Sequence, residues 1–235
     1  MYFLSFETST KIFSLALSCD EKVLRYRNIK TALVLENSML PAMDKLLDSA
    51  GIKFNQIDGF AIALGPGSFT SLRVGLSTVK AFCLATGKHV IGIPTLDIIA
   101  QGVAGRYACD QICVISDARR QKVYACLYGA DGRRQSDYLL TSLSDILDKV
   151  KDATLFVGDA VGLYRKEIQG AYRKCSLDAC QCLFADEKWW HPQAKVMAGL
   201  AYRRFSGKHY DQAEKLVPIY LYAQDCQVSV HEAKT

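Results

Sequence analysis

The sequence predicts an α/β fold of two related lobes, each a mixed sheet flanked by helices. Two observations carry that expectation. Short strand-like apolar runs alternate with segments whose apolar residues recur at helical spacing, the signature of layered α/β domains. The order strand–strand–strand–helix–strand–helix also runs once in full and then restarts as a weaker copy, which points to internal duplication. The boundary is expected in "GRYACDQ", residues 105–111, dividing the chain into 1–107 and 108–235. The last helix is expected to be able to pack back on the first lobe.

In order, "YFLSF" is a short apolar strand and Thr8-Ser9-Thr10 a turn. "IFSLALS" alternates as a strand should, and "KVLRYRNI" follows the Asp20-Glu21 turn, so the chain opens as an antiparallel meander. A helix is predicted from about Asn37-Ser38, with Leu40, Met43, Leu46, Leu47 and Ala50 on its apolar stripe and Gly51 as its cap. "GFAIAL" reads as a buried strand. The glycine turn "GPGSFT" then launches a second long helix that ends at Gly87. "HVIGI" is a strand and residues 95–104 a helix. In the second copy "ICVISD" and "KVYACLYG" are strands around "ARRQ", "LSDILDKV" is helical, "TLFVGDA" is strand then turn, and "AGLAYRRFSG" is the final helix. The opening hairpins should be antiparallel and the later strands parallel.

Composition narrows the function classes. Half of the 235 residues are apolar, enough for a substantial core, yet no run of eighteen apolar residues predicts a membrane span. "MYFLSFETST" lacks a basic stretch and a small-residue cleavage site, so a buried first strand is expected rather than a signal peptide. Nine scattered cysteines, with Cys83, Cys113 and Cys126 in apolar runs, suit core thiols in a reducing cytoplasm. Cys175, Cys180 and Cys182 cluster, but "KCSLDACQC" lacks the second CxxC or histidine of a zinc site, and no metal ligand set is expected. The net charge is +5, with basic groups in "RYRNIK", "DARRQK", "DGRR" and "YRR". Such groups serve either an RNA backbone or ordinary solvated surface.

Two loops carry the candidate chemistry. In "SFETST", Glu7 with Thr8, Ser9 and Thr10 offers a carboxylate for magnesium and hydroxyls for a phosphate, though the same hydroxyls serve a tight turn equally well. Gly65 and Gly67 free the backbone, and Ser68 or Thr70 can cap the following helix, whose exposed amides attract anions. Neither GxxxxGK[ST] nor GxGxxG is present. Leu72, Gly75, Leu76, Val79 and Cys83 form one stripe of that helix, open to either this protein's own sheet or a partner. Gly75 on the stripe is tolerated where another backbone approaches closely. No catalytic constellation appears: the four histidines are far apart in sequence, and "DARR", an acid beside two cations at a strand end, suits a salt-bridged turn more than a site.

"LSFETSTKIFSLAL", "NSMLPAMDKLL", "GFAIALGPGSFTSLRVGLSTVKAF", "VIGIPTLDIIA" and "SDARRQKVYACLY" together resemble the TsaB (YeaZ) family. The resemblance is strong over residues 1–128; beyond it only "FVGDA" and "LVPIYLY" are similar. It implies an actin, sugar kinase and Hsp70 type of fold, and a role in making threonylcarbamoyladenosine in tRNA without being the transferase. It implies docking on a TsaD-type transferase through residues 38–50 and 68–86, with Leu40, Met43, Leu47, Phe69, Leu72, Arg73, Gly75, Leu76 and Val79 as contacts. It further implies self-pairing when alone, a TsaE-type ATPase as a third component, indirect contact with tRNA, and ATP with magnesium only in the complex. A nucleotide-binding ATPase or phosphotransferase is the alternative the fold permits. Three departures stand out: Glu7 replaces the family's usual Asp, Asn37 a common His, and Ser71 the usual Gly of "SFTGLR".

Overall fold

The computed structural model describes residues 1–30, 35–150, 153–173 and 181–222. Strands β1 (Tyr2–Glu7), β2 (Ile12–Cys19), β3 (Lys22–Lys30), β4 (Gly59–Ala63) and β5 (His89–Ile93) form the first sheet, in the order β3-β2-β1-β4-β5. Strands β6 (Gln111–Arg119), β7 (Lys122–Gly129), β8 (Leu139–Thr141), β9 (Thr154–Val157) and β10 (Cys182–Phe184) form the second, ordered β8-β7-β6-β9-β10. Adding five to each strand of the first sheet reproduces the second. In both sheets the opening meander is antiparallel and the remaining pairs are parallel, as predicted. The helices repeat in step: α1 (Leu35–Ala50), α2 (Phe69–Thr86) and α3 (Thr95–Val103), then α4 (Leu143–Leu147), α5 (Ala160–Arg173) and α6 (Ala194–Ser206). Gly51 and Gly87 end α1 and α2 at φ 67°, a left-handed backbone that glycine adopts without a Cβ clash.

Each lobe lends its last helix to the other. Helices α1 and α2 cover one face of the first sheet through Leu46, Leu76 and Val79 against Leu4, Phe6 and Phe60. The opposite face, with Phe3, Ala16, Ala61 and Ile91, is covered by α6 from the second lobe through Met197, Ala201 and Phe205. Phe3 and Phe205 meet edge to face at 4.4 Å. Conversely, α3 lays Leu96, Ile99 and Val103 on Ile112, Val114 and Tyr128 of the second sheet, whose other face takes α4 and α5. Tyr128 and Tyr138 each donate a hydroxyl hydrogen bond to Asp97 Oδ1, at 2.7 and 2.8 Å, fastening α3 to that sheet.

Three elements differ from expectation. α1 begins by Leu35, ahead of Asn37, and its inner stripe runs through Met39, Met43, Leu46 and Leu47, while Leu40 is exposed. α5 and β10 extend the copy beyond the predicted elements. Among the described residues, no helix is long and apolar enough to cross a membrane.

Candidate functional site

The hydroxyl-rich turn of the first lobe is sealed. Glu7 ends β1 opposite Ser14 of β2, and Glu7, Thr8 and Ser9 are all buried. Glu7 Oε1 accepts a 2.5 Å hydrogen bond from the Ser9 amide. Burial nevertheless pushes its carboxyl up to about 7, because removing water disfavours the charged form more than the hydrogen bond from the Ser9 amide favours it. Thr10 Oγ1 accepts from the Ile12 amide at 3.2 Å and so closes the turn locally. The glycine loop then lies directly on the turn. Ser68 N donates to Ser9 O at 2.7 Å, and a Cβ on Gly67 would overlap the Ser9 backbone. A Cβ on Gly75 would likewise overlap the Thr8 side chain, so Gly75 makes room for the turn rather than for a partner. Ser68 stands at the N-cap of α2 but makes no side-chain cap, contrary to expectation; its hydroxyl pairs with that of Ser71 at 2.9 Å. The close approaches fall at Gly67 and Gly75, which is why a serine fits at 71.

This arrangement decides how well the predicted cradle suits a nucleotide. A carboxylate, three hydroxyls and a glycine loop are the groups expected to hold a phosphate and magnesium here. Here the Ser9 amide is spent on Glu7, the Ser68 amide on Ser9, and the Glu7 carboxylate is buried beneath both. Glu7, Thr8, Ser9, Gly67 and Ser68 therefore do not fit that group as they stand, and Gly65, at φ 92°, packs against the Leu72 side chain. Glu7 Oε2, Thr8 Oγ1 and Ser9 Oγ make no hydrogen bond.

The expected contact face of α1 and α2 needs the larger correction. Met43, Leu47, Leu72, Gly75, Leu76 and Val79 are buried in the first lobe's own core, because that stripe is what attaches the two helices to the sheet. The outer face presents other residues. Leu40 and Phe69 are about half exposed, and Leu84, which the sequence reading did not single out, is 89% exposed. The Arg73 guanidinium lies 3.7 Å from the centre of the Phe69 ring, and its Nε donates to Tyr220 Oη at 3.0 Å. Phe69 and Tyr220 rings stand 5.2 Å apart.

Tyr220 belongs to a strap, residues 216–222, that joins the lobes. Leu216 is buried in the first-lobe core, and Ile219 N donates to Leu64 O at 2.8 Å. At the far end Tyr222 Oη donates to Ala118 O at 2.7 Å, and its ring meets Tyr124 edge-on at 6.3 Å. Val217 of the strap is 65% exposed.

The matching turn of the second lobe is built differently. Arg119, Arg120 and Gln121 all have positive φ, and Arg119 pairs with Asp117 at 3.1 Å, the salt-bridged turn expected of "DARR". Asp159 supports the turn from the start of α5: its Oδ1 accepts from Ser116 Oγ at 2.6 Å and from Asp117 N at 3.0 Å. A cavity of ≈ 500 Å³ beside Gln121, Leu143, Tyr164 and Glu167 includes none of the sequence-predicted site residues. Cys83, Cys113 and Cys126 are buried, and burial holds the Cys83 thiol up at about 11. Cys182 lies on β10, whereas Cys175 and Cys180 fall outside the described residues. Among the described residues, no group of three or more His, Cys, Asp or Glu could hold a metal ion.

The family model for TsaD, tRNA N6-adenosine threonylcarbamoyltransferase, matches residues 31–185. The TsaB tRNA threonylcarbamoyladenosine biosynthesis protein of Haemophilus influenzae is 32% identical over 52% of this chain and 51% of its own length. That of Escherichia coli is 29% identical over 56% of each. The matches thus span about half the length of these curated relatives. In structure, YeaZ from Pseudomonas aeruginosa superposes with a TM-score of 0.76 at 22% identity, covering 94% of this chain and 99% of that one. A ROK hexokinase from Thermus thermophilus reaches 0.53 at 10% identity, covering 88% and 100%. These two likenesses establish the fold: that of YeaZ, within the wider sugar kinase and actin class expected from the sequence.

Proposed function

We propose, for a chain that belongs to the TsaD and TsaB (YeaZ) family, that it is a non-catalytic subunit which binds a TsaD-type transferase and supports threonylcarbamoylation of the tRNA adenosine next to the anticodon. The observation that carries the reading is the outer face of α1 and α2. Leu40 on α1 and Phe69 and Leu84 on α2 are exposed, and Tyr220 of the strap packs on Phe69. Leu84 follows Arg73 by three helical turns, so Phe69, Arg73 and Leu84 share one side of α2. Monomeric proteins rarely leave a contiguous apolar area open unless something docks on it. Without the transferase, the same face pairs two copies of this chain.

The sealed turn supports the non-catalytic half of the reading. ATP and magnesium are placed in the assembled complex, held by groups other than the Glu7 turn, with a TsaE-type ATPase as a third component. The assembly works in the cytoplasm.

Size exclusion with light scattering tests the docking. The wild-type chain is expected to form a complex with its cognate TsaD-type enzyme. A Phe69→Glu, Leu84→Glu double variant should keep its circular dichroism and bind at least 100-fold more weakly, about 3 kcal/mol. An intact complex with that variant sinks the assignment of the face. Leu72 and Val79 are unsuitable probes, since a glutamate there is buried unpaired and unfolds the lobe. Calorimetry with ATP and magnesium addresses the other half: tight binding and turnover by this chain alone would overturn the non-catalytic reading.

A further inference from the structure

A second surface lies on the other side of the first sheet from α1 and α2, where four segments bring a row of alternating rings and cations together. Tyr26 comes from β3, Lys195 from the first turn of α6, Trp189 from a short helical turn at Glu187–Trp189, and Arg106 from the chain just past α3. The Lys195 ammonium stands 5.0 Å from the centre of the Tyr26 ring and 5.7 Å from that of Trp189. The Arg106 guanidinium lies 4.7 Å from the same Trp189 ring, and Lys188 lies 6.0 Å from it. Strand alternation puts exposed Lys30 on the same face as Tyr26, four residues on.

The charges in this row are only partly balanced among the described residues. Lys188 pairs with Asp186 at 2.9 Å, and Glu187 is the other acid nearby. Among the described residues no ion pair joins Arg106 or Lys195 to a carboxylate; Arg106 Nε donates only to the Gly102 carbonyl, at 2.8 Å. Lys195 is the second residue of α6, where the helix dipole disfavours a cation, and no acid occupies that first turn. The two unpaired cations beside one indole, Arg106 and Lys195, repel each other. The rings offset part of that repulsion, and a bound polyanion would remove the rest.

We propose that this row binds RNA directly, its cations holding backbone phosphates and the half-buried rings of Tyr26 and Trp189 contacting sugars or bases. Interleaved rings and separated cations suit a nucleic acid strand, since phosphates repeat along it and its bases offer flat faces. An acidic protein would use the charges but not the rings. The inference rests on the tRNA-modification reading only for the choice of probe. Because the row and the docking face lie on opposite faces of one sheet, both can be occupied together.

The test is fluorescence anisotropy of a labelled, unmodified tRNA transcript over a series of salt concentrations, with a poly-glutamate peptide of matched charge as the comparison. An Arg106→Gln, Lys195→Gln double variant should bind the transcript at least tenfold more weakly and flatten the slope of log affinity on log salt by about 1.5. It should melt with the wild type and still enter the complex with the TsaD-type enzyme, which separates this claim from the docking claim. A Lys53→Gln, Lys166→Gln control should stay within twofold of wild type. Trp189→Phe keeps a ring in place and should abolish most of the change in tryptophan emission on adding the transcript. The proposal is overturned if the double variant binds like the control, if wild type takes poly-glutamate as tightly as tRNA, or if the transcript does not bind at low salt.

Discussion

The two lobes follow one chain path, and they differ most at the turn between their first two strands. In the first lobe the turn is short in side chains, buried, and closed by backbone: Ser68 N reaches Ser9 O, with Gly67 packed on top. In the second lobe the turn is charged and exposed, runs through three left-handed residues, and is held from beneath by the Asp159 carboxylate. Each lobe must satisfy the donors of a tight turn next to a helix start. The first uses Glu7, an acid on its own strand, together with a glycine loop packed too closely for a side chain, and the second uses Asp159, an acid reaching in from the next helix start. The first solution leaves α2 anchored along its whole inner stripe, which frees its outer face for Phe69 and Leu84. The lobe that looks most like a phosphate cradle is thus the one whose long helix keeps Phe69 and Leu84 exposed.

The glycines of the two helix starts give the strongest way to break this comparison. Gly158 has φ 116°, and a Cβ there would overlap the Ile115 carbonyl. Gly158→Ala should therefore cost about 4 kcal/mol, combining strain with overpacking. Gly67→Ala meets the Ser9 backbone without a positive φ and should cost about 3 kcal/mol. Urea denaturation midpoints check both. Amide exchange should in addition rise at Ser68 in the Gly67 variant, since its bond to Ser9 O is the seal. A Gly67→Ala protein that unfolds with the wild type would mean that the first turn is not closed by the loop.

Glu7 sharpens the contrast between the two turns. Its carboxyl is held at about 7 by burial, against an ordinary value of 4.5. Unfolding releases the proton at lower pH than folding does, so stability falls as pH rises from about 4.5 to about 7 and stays low above that. The loss is on the order of 3 kcal/mol. Glu7→Gln keeps an oxygen for the Ser9 amide and cannot ionise. It should match the wild type near pH 4.5, exceed it at pH 8, and show no slope between. Equal slopes for the two proteins in urea titrations across that window would place the titrating group elsewhere.

The contrast was half legible in the sequence. Strands β1 to β7 and helices α1 to α3 follow from alternation, helical spacing and glycine stops, because each buries a regular face. Helix α5 escaped because it buries only Ala160, Val161 and Ile168 and is interrupted by Gly162 and Gly170. Strand β10 escaped because it is three residues long. Met39 and Leu40 are neighbours on α1 and both extend a stripe from Met43, so spacing alone does not say which turns inward. Glu7, Thr8, Ser9, Gly65 and Gly67 were visible as a polar, glycine-rich set. Their closure was not, since it depends on Ser9 meeting Ser68 across fifty-nine residues. Leu84 had no signal at all: an isolated apolar residue off the stripe becomes informative only once the outer face is known.

The smallest effect asks to which lobe the strap belongs. Its first-lobe end holds Leu216 in the core and Ile219 N on Leu64 O, whereas its second-lobe end holds Tyr222 by its Oη on Ala118 O and by its ring on Tyr124. Tyr222→Phe removes the hydroxyl and keeps the ring, leaving the Ala118 carbonyl one partner short, and should cost about 1 kcal/mol. Amide exchange separates two arrangements that denaturation alone would merge. If the strap is anchored in the first lobe, Ile219 stays protected in the variant, and Tyr220 stays against Phe69 and Arg73. If exchange at Ile219 rises with the loss of Tyr222, the strap opens as one unit from the second-lobe end. Core burial of Leu216 favours the first outcome, because an apolar side chain inside a packed lobe holds its neighbours more firmly than a single exchangeable hydrogen bond does.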